Sequence, residues 1–383
     1  MKEKVNIIQF LPYFPPHKGG LETHAQERGF WREKKGYGDV INVVFDLGYF
    51  PSPPKKGEKG GSDKLILIPA LEIIPTFPIP KFRKKEFRKI ISVIAKKVKQ
   101  SKKNTIVVTR TRFFTSSLLG GIFAKRNKLK RVHIEHGVDY VKLNSKRKEI
   151  IARIYDQTIG RRVFRRSNQV IGISKACKRF ANKFTKKDIP VIYRGIEFKP
   201  SPRKKHNGKD IRFGFVGRLV DLKGIDLLLK AFANLYKNNK NLSLQIVGDG
   251  EEKKNLEKIS KDLKIDRVVS FLGYKDKKYI GETFLPNIDI VVNPSYQEGL
   301  PTSVLEGLLA QCVVVATDVG GTKEISKEKD LILVKKGDTK NLTEKLEYAS
   351  QNYNKYIGLS QDNITNNFSW DKNIVNYFDL LKS

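Results

Sequence analysis

The chain has 383 residues and is strongly basic, with 75 Lys and Arg residues against 40 Asp and Glu residues and a formal net charge of +35. This length exceeds what a single hydrophobic core usually supports, so two domains are expected. The two cysteines, Cys177 and Cys312, lie far apart and match no metal or redox spacing, which predicts free thiols in a reducing cytoplasm. The most apolar stretch, 65–80, contains Glu72 and four prolines, which exclude a membrane-spanning helix there.

Short apolar runs alternate with helical patterns along the first half of the chain. The segment 1–10 is too short and too interrupted for a signal peptide and predicts a first strand instead. This alternation is typical of a parallel, doubly wound α/β domain. Strands are expected at 5–10, 40–45, 65–69, 105–109, 131–135 and 169–173, and helices at 20–35, 82–101, 115–126, 146–165 and 175–183.

The second half repeats the alternation after a break. A Pro-rich, polar stretch at 198–210 predicts a linker, and a second α/β pattern runs from 211 to about 345. The segments 51–64 and 275–280 predict exposed loops. We therefore expect a first domain over 1–200, a second domain over 201–360, and a final helical segment over 361–383.

The positive charge is concentrated in the first half of the chain. Residues 1–200 carry 46 basic and 16 acidic side chains, a net charge of +30, whereas residues 201–383 carry 29 and 24, a net charge of +5. A general enrichment in lysine would explain a basic total but not this asymmetry. The first half is therefore expected to meet an anionic partner.

The segment 81–100 combines apolar residues at helical spacing with many lysines and arginines. Such a helix either lies on an anionic membrane surface or buries its apolar stripe against a sheet. We favour burial for the stripe, and we expect membrane contact through Phe82, the basic face and the Pro-rich loop before it. The cluster 161–166, Arg-Arg-Val-Phe-Arg-Arg, would extend that surface.

Two glutamates flank a tight turn in the second half, in the sequence EGLPTSVLE at 298–306. The apolar run at 288–295 predicts a short buried strand before this turn, and Thr302 or Ser303 is the expected N-cap of a helix after it. A helix start attracts phosphate, because unpaired N–H groups and the positive end of the dipole coincide there. By itself, the spacing fits any α/β domain about as well.

A second turn, between glycines, carries Arg218 and Lys223. The run at 211–217 predicts a buried strand, and the pattern changes to helical spacing after Gly224. Arg provides a planar fork and Lys a point charge, as a clamp on a diphosphate requires. Either cation alone is equally typical of a solvated surface in a Lys-rich chain.

Together the motifs resemble the retaining glycosyltransferases of family four, the group 1 glycosyltransferases with the two-domain GT-B fold. The resemblance spans nearly the whole chain, and its specificity lies in the order and spacing of the motifs. Arg194 departs from it, because the family usually has Asn there. The motifs are GGLETH at 19–24, HG at 136–137, ISK at 173–175, RGIE at 194–197, GR and KG within 217–224, VGDG at 247–250, FLG at 271–273, the Glu298 and Glu306 pair, and VVVATDVGG at 313–321.

The resemblance implies a role for each matched side chain. Arg218 and Lys223 would hold the nucleotide diphosphate and stabilise the charge on the leaving group. Glu306 would bind the ribose hydroxyls and Glu298 the hydroxyls of the donor sugar. His136 would come from the N-terminal domain and face the donor sugar.

Backbone groups are expected to complete the site, because glycine leaves room for a close approach to phosphate. The expected positions are Gly19, Gly20, Gly217, Gly299, Leu300, Pro301, Thr302 and Ser303. The resemblance implies no metal and no cofactor, since the two cations replace Mg²⁺, and the chain has no Asp-x-Asp pair suited to one. Two other histidines, His24 and His133, are expected to be structural or merely exposed.

The implied reaction moves a hexosyl residue, with retention of configuration, from a nucleotide sugar to a lipid-linked or cell-surface glycan. The resemblance makes 1–200 the acceptor-binding domain, 201–360 the nucleotide-sugar-binding domain and 361–383 a helix that returns to the first domain. The ligands would lie at the carboxyl ends of both sheets. Family frequency favours UDP-hexose over GDP-mannose, and the basic first half favours an anionic, lipid-linked acceptor. The expected location is cytoplasmic, peripheral at the inner face of the plasma membrane.

Three alternatives stay open at this point. A nucleic-acid-binding protein would explain the charge, but the chain lacks zinc spacing, an RNA-recognition signature and a basic tail, so no nucleic-acid partner is expected. The same fold also serves nucleotide-sugar epimerases and soluble glucan synthases.

Overall fold

The computed structural model describes most of the chain, namely residues 4–14, 20–48, 65–74, 77–80, 92, 94, 104–141, 145–203, 210–326, 331–356 and 361–382. The chain forms two compact units. Unit 1 comprises Met1–Gly195 and Trp370–Ser383, and unit 2 comprises Ile196–Ser369. The sequence predicts boundaries after residues 200 and 360, a few residues away from these divisions.

Unit 1 contains a seven-stranded sheet with the order β4-β3-β2-β1-β5-β6-β7, in which all neighbours are parallel except β3 and β4. The strand β4 is missing from the sequence prediction. Its prolines at 78 and 80 have no N–H to donate, which fits its place at the edge of the sheet. The strands are β1 Asn6–Leu11, β2 Val40–Asp46, β3 Leu65–Ile74, β4 Phe77–Pro80, β5 Thr105–Arg110, β6 Lys130–Glu135 and β7 Gln169–Gly172.

The helices of unit 1 follow the predicted alternation. A π-helical turn, Asp156–Gly160, joins α3 to α4, so the helix expected over 146–165 is continuous but locally widened. The helices are α1 Gly20–Lys34, α2 Thr115–Arg126, α3 Lys146–Tyr155, α4 Arg161–Arg165 and α5 Lys175–Ala181, with the C-terminal α13 Trp370–Lys382.

The helix expected over 82–101 lies outside the described residues except at two positions. Ser92 is exposed, whereas Ile94 is fully buried among core residues of the sheet such as Phe10 and Val107. At Ile94, the apolar stripe therefore packs into the domain, as the favoured interpretation predicts. Phe82 and the loop before it lie outside the described residues.

The C-terminal helix α13 packs along α1 within unit 1. The rings of Tyr37 and Phe378 stack with centroids 4.0 Å apart, and the guanidinium of Arg28 lies 4.3 Å from the ring centre of Tyr377. Trp370 covers Gly195 so closely that a Cβ at this glycine would collide with the indole. The two segments that build unit 1 therefore end side by side.

Unit 2 contains a six-stranded parallel sheet with the order β10-β9-β8-β11-β12-β13. The strands are β8 Ile211–Val216, β9 Leu242–Val247, β10 Val269–Gly273, β11 Ile290–Asn293, β12 Val313–Thr317 and β13 Ile332–Val334. The helices are α6 Ile225–Asn238, α7 Lys253–Asp262, α8 Lys277–Tyr279, α9 Thr302–Leu309, α10 Thr339–Gln351, α11 Tyr353–Tyr356 and α12 Gln361–Asn367. At its ends, Ile196 N–H donates to Phe368 C=O at 2.6 Å.

The segment predicted as a linker is partly bound into unit 2. Arg203 Nη2 lies 2.8 Å from Asp289 Oδ1, and Arg212 Nε lies 2.9 Å from Asp289 Oδ2. Asp289 is fully buried, and a buried carboxylate must be paired with cations to be tolerated. The linker prediction is therefore wrong up to Arg203, and 204–209 lie outside the described residues.

The loop predicted at 275–280 is also wrong in part. Asp276 accepts a hydrogen bond from Tyr279 N–H at 2.7 Å and starts α8, which continues through a π-helical turn at Ile280–Phe284 and a 3-10 turn at Leu285–Asn287. An Asp that caps the third following residue is a helix-start signal, and it is present in the sequence. Within the described residues, no helix has both the length and the apolar character needed to cross a membrane.

Candidate functional site

Two turns of unit 2 meet at the carboxyl ends of the neighbouring strands β8 and β11. The first turn begins at Gly217, and Leu219 N–H in it donates to Asp249 C=O at 2.9 Å. Gly248 lies so close to Gly217 that a Cβ at Gly248 would collide with the carbonyl of Gly217. The turn after β9 thus supports the turn after β8, at the edge of the sheet where open α/β folds bind ligands.

The first turn ends at Gly224, where it touches the second. Gly224 has φ +61°, and a Cβ there would collide with the carbonyl oxygen of Pro294. Tyr296 N–H donates to Leu222 C=O at 2.8 Å, which joins the two turns directly. Glycine is required at 224 both by its backbone angle and by this close approach.

Lys223 and Glu298 form an ion pair across the two turns. Lys223 Nζ lies 2.6 Å from Glu298 Oε1, and Ser295 Oγ donates to the same oxygen at 2.7 Å. The Lys223 side chain is 24% exposed and that of Glu298 is 10% exposed. The structure thus brings together two residues that the sequence analysis assigns to different parts of the donor, the diphosphate and the sugar.

The turn at 299–303 leads into α9, a helix of eight residues. The sequence predicts Thr302 or Ser303 as its N-cap, but the cap position is Pro301, whose side chain has no hydrogen-bonding group, and Thr302 is already the first residue of the helix. Ser303 instead accepts a hydrogen bond from Asn293 Nδ2 at 2.9 Å. The N-cap prediction is therefore wrong, because the hydroxyl expected to cap the helix is bound to the end of β11.

The remaining predicted residues of unit 2 differ in exposure. Glu306 lies on α9 and is buried, while Arg218 is exposed and makes no ion pair with any residue that the structure describes. Gly299 is partly exposed, and Leu300 and Pro301 are buried beneath it. The contacts of unit 2 therefore join three of the predicted residues directly or through Asn293, namely Lys223, Glu298 and Ser303.

The predicted residues of unit 1 are less completely described. Gly19 lies outside the described residues, and Gly20 is the first residue of α1. His136 follows the last residue of β6 and is half-buried, and its ring centroid lies 5.3 Å from that of His24. His24 is 1% exposed, so it is a buried residue of α1 rather than a surface histidine.

Four side chains of unit 1 form what we call the basic cluster: His24, Arg28, Arg110 and His136. Arg28 Nη2 lies 3.0 Å from His24 Nε2, and Arg110 Nη2 donates to Gln9 Oε1 at 2.8 Å. Both arginines are at most 2% exposed. The structure describes no hydrogen-bond partner for Nε and Nη1 of either arginine, or for one ring nitrogen of each histidine.

Burial is the main influence on protonation in the basic cluster. It lowers the pKa of His24 and of His136 well below 6.5, and the neighbouring arginines lower both further. Burial and the positive charge of Arg28 lower the pKa of Arg110 to about 9. The cluster is thus a buried group of cations and hydrogen-bond donors, and an anion is the ligand that would satisfy it.

Sequence reasoning missed Arg28 and Arg110. Arg110 is the last residue of β5, directly after the strand predicted at 105–109, so the rule that ligands bind at carboxyl ends of parallel strands pointed to it. Arg28 stands four residues after His24 on α1, so the spacing along the predicted helix indicated their contact, but only the packing of α1 brings Arg28 near Arg110.

A second buried network lies next to the basic cluster, and in it the arginine is paired with two carboxylates. Arg112 lies 3.3 Å from Glu135 Oε1 and 2.8 Å from Asp156 Oδ2. Burial alone would raise the pKa of Glu135, but Arg112, His133 and the Gly137 N–H together lower it to about 2. Burial raises the pKa of Asp156 to about 6 against the opposing effect of Arg112. His133 is fully buried here, and its two ring nitrogens lie 2.9 Å from Thr109 Oγ1 and 3.4 Å from Glu135 Oε2.

Comparison with known proteins gives matches that cover different shares of the chain. A family model described as glycosyl transferases group 1 matches residues 198–366. An uncharacterized glycosyltransferase of Methanocaldococcus jannaschii is 34% identical over 98% of this chain and 97% of its own length. The poly(ribitol-phosphate) alpha-N-acetylglucosaminyltransferase of Staphylococcus aureus is 24% identical over 53% of this chain and 41% of its own length.

A solved structure shows the fold over the whole chain. The crystal structure of Alr3699/HepE of Anabaena in complex with UDP matches with a TM-score of 0.73 and 15% identity, over 99% of this chain and 100% of that one. This likeness, with two doubly wound units and parallel sheets, confirms the expected GT-B fold.

Proposed function

Because this chain belongs to the group 1 glycosyltransferases, we propose that it transfers a hexosyl residue from a nucleotide sugar to an anionic acceptor. The donor is a UDP-hexose in preference to GDP-mannose, and the acceptor is a lipid-linked or cell-surface glycan. The reaction retains the anomeric configuration and needs no metal. The observation that carries this proposal is the Lys223–Glu298 ion pair at the joined turns after β8 and β11.

The donor half of the proposal rests on the charges of unit 2. Lys223 is paired with Glu298, so a diphosphate would compete with that carboxylate for the ammonium group. Released from Lys223, Glu298 would accept hydrogen bonds from sugar hydroxyls, while Arg218 and the N–H groups at the start of α9 meet the phosphates. The UDP bound in the structure of the Anabaena protein supports a uridine nucleotide.

The chemical step would take place at the anomeric carbon of the donor. The bond from C1 to the leaving phosphate oxygen breaks, the bond from C1 to the acceptor oxygen forms on the same face, and the acceptor proton passes to the leaving phosphate. Arg218 and Lys223 stabilise the negative charge that develops on that phosphate. Because this charge can be held by two side-chain cations and a helix start, the step needs no divalent ion.

Retention is supported by the positions of the carboxylates. Glu298 lies in the turn after β11 and Glu306 on α9, both in unit 2, where the proposed donor site is. Among the described residues of unit 1, the buried carboxylates Glu135 and Asp156 are both bound to Arg112. An inverting reaction would require a base beside the acceptor, and neither of these paired groups is suited to that role.

The acceptor half of the proposal rests on unit 1. The basic cluster presents unpaired donors at the carboxyl ends of β5 and β6, and residues 1–200 carry a net charge of +30. A phosphate or carboxylate of the acceptor would satisfy these donors, with His136 facing the donor sugar. The Staphylococcus aureus relative is named for an anionic acceptor, poly(ribitol-phosphate), which supports the same class here. We place the reaction at the cytoplasmic face of the membrane.

A donor panel followed by product analysis tests the proposal. UDP sugars should raise the melting temperature more than GDP or ADP sugars, and a UDP-hexose should label a membrane glycan extract. Conversion of the sugar nucleotide without any acceptor would indicate an epimerase, and extension of a neutral glucan would indicate a soluble synthase. Salt-sensitive binding to DNA with no response to any nucleotide sugar would contradict the transferase assignment to this site.

A further inference from the structure

The helix α3, Lys146–Tyr155, exposes three isoleucines to solvent. Ile150 is 60% exposed, Ile151 65% and Ile154 58%, more than any other large apolar residue among the described ones. We call these three residues the isoleucine patch. Each carries a large apolar surface that a solvated helix would normally turn inward.

The patch occupies one face of the helix. Successive residues turn by about 100°, so Ile150, Ile151 and Ile154 project from the same side. The opposite side holds Ala152 and Asp156, which are 6% and 0% exposed. Asp156 is fixed there by Arg112 at 2.8 Å. The helix is therefore anchored by a small residue and a buried carboxylate, and its most apolar face points away from the protein.

Exposed cations flank the isoleucine patch along the chain, and we call them its rim. Between residues 145 and 168 the acidic residues are Glu149 and the buried Asp156. The basic side chains of α3, α4 and the following turn are all exposed. These exposed cations are Lys146, Arg147, Lys148, Arg153, Arg161, Arg162, Arg165 and Arg166.

We propose that the isoleucine patch and its rim form the surface by which this protein binds an anionic lipid bilayer. The isoleucines enter the boundary between headgroups and acyl chains, and the cations contact lipid phosphates above them. The long Lys and Arg side chains can reach the headgroup level while their stems lie on apolar surface. Membrane contact is expected from the sequence at Phe82, the basic face of 81–100 and the loop before it, with 161–166 extending that surface, and α3 adds exposed apolar residues to it.

A second copy of the chain fits this face less well. A two-fold contact would place the patch against itself and bring the two cationic rims together. Like charges at such a rim oppose association, whereas an anionic bilayer complements both the patch and the rim. The inference rests on the proposed function in one respect, since a lipid-linked acceptor gives the enzyme a reason to be at the membrane.

Vesicle co-sedimentation of the full chain tests the proposal. The protein should bind vesicles that contain phosphatidylglycerol and not vesicles of phosphatidylcholine alone. The double variant Ile151→Ser with Ile154→Ser should lower the partition coefficient about tenfold or more, because membrane affinity scales with buried apolar area. The matched control is Ile122→Ser on α2, at a 41% exposed isoleucine outside the patch, and it should bind like the parent protein.

Two further measurements distinguish membrane binding from self-association. The fluorescence of an Ile151→Trp variant should shift to the blue on anionic vesicles and be quenched by brominated lipid. Equal vesicle binding by the double variant and the parent would overturn the proposal. A concentration-dependent dimer that the double variant abolishes would also overturn it, in favour of self-association.

The failure of this inference can be told apart from a failure of the proposed function. The double variant lies far in sequence from the donor turns, so its thermal shift with UDP sugars should equal that of the parent protein. If the parent protein shows a thermal shift with UDP sugars but does not bind anionic vesicles, only the proposed membrane surface is overturned. Lipid binding without any donor response leaves the surface supported and contradicts the proposed transferase chemistry.

Discussion

At the scale of single residues, the Lys223–Glu298 pair is the feature with the most direct consequence for activity. Replacement of Lys223 by Ala should lower kcat by about 10²-fold or more, because a charge that stabilises the leaving phosphate is lost. Initial rates with saturating donor measure this effect. Lys230→Ala is the matched control, since Lys230 forms only an exposed pair with Asp226 on α6 and should be dispensable. Full activity of a folded Lys223→Ala protein would contradict the proposed role.

The partner of Lys223 gives a second prediction with a different signature. Glu298→Gln removes the negative charge that competes with the diphosphate, so the free nucleotide product should bind more tightly while turnover falls. Calorimetric titration with UDP, combined with steady-state kinetics, separates the two effects. Weaker UDP binding in this variant would show that Glu298 positions the ammonium group rather than competing for it.

The basic cluster makes the stability of the protein depend on pH. The pKa values of His24 and His136 are lowered well below 6.5, so the folded state holds both rings neutral. Their contribution to stability is complete above about pH 6.5 and is lost as the pH falls below that value, because only the unfolded state gains the protons. Urea unfolding at pH 7 and pH 5 should show a lower midpoint at pH 5.

Asp156 has the opposite effect on the stability of the protein over part of the range between pH 7 and pH 5. Its pKa is raised to about 6, so protonation in the folded state favours folding as the pH falls through that value. The net loss at pH 5 is therefore smaller than the histidines alone would give. The variant His24→Gln should show a shallower loss between pH 7 and pH 5, and an unchanged slope would contradict the role of His24.

At the scale of elements, the joined turns depend on Gly224. A Cβ at this position meets the carbonyl of Pro294 in addition to an unfavourable φ of +61°. Gly224→Ala should therefore lower the free energy of unfolding by about 1–3 kcal/mol and misplace Lys223. Gly273→Ala is the matched control, because Gly273 has φ +68° but nothing within 4 Å of the added methyl group. Thermal unfolding and kcat measure both variants, and equal effects would contradict the importance of the close approach.

Much of the element structure could be predicted from the sequence, because buried parallel strands leave long apolar runs and helices leave periodic ones. The antiparallel edge strand β4 could not, since its prolines are typical of a loop. The stretch 198–210 has the Pro-rich, polar composition of a linker, and only Asp289, far along the chain, shows why Arg203 within it is bound.

The candidate site shows the same division. The sequence names Lys223 and Glu298 through local motifs, but it does not predict their contact, since that depends on how two turns after different strands meet. Likewise, Thr302 and Ser303 are residue types that favour the N-cap position, but the Ser303 hydroxyl accepts a hydrogen bond from Asn293 instead. Arg28 and Arg110 come together only through tertiary packing.

At the scale of the whole molecule, the proposed chemistry predicts the form of the product. An α-linked donor should give an α-linked product, and the reaction should proceed in EDTA because the leaving group is held by side-chain cations. NMR of the purified product and rates measured with and without chelator check both expectations. A β-linked product, or a loss of activity that Mg²⁺ restores, would contradict the corresponding half of the mechanism.

The two passages of the chain between the units also bear on how such enzymes diversify. Ile196 is hydrogen-bonded to Phe368 in unit 2, and Gly195 is covered by Trp370 in unit 1. Unit 2 is thus one continuous segment of the chain, Ile196–Ser369, and its first and last residues lie side by side. Recombination between homologous genes at these two codon positions would exchange the whole of unit 2 and leave the two chain segments of unit 1 intact. Chimaeras joined at Gly195 and Trp370 should accordingly fold, and they offer a direct route to new pairings of donor and acceptor.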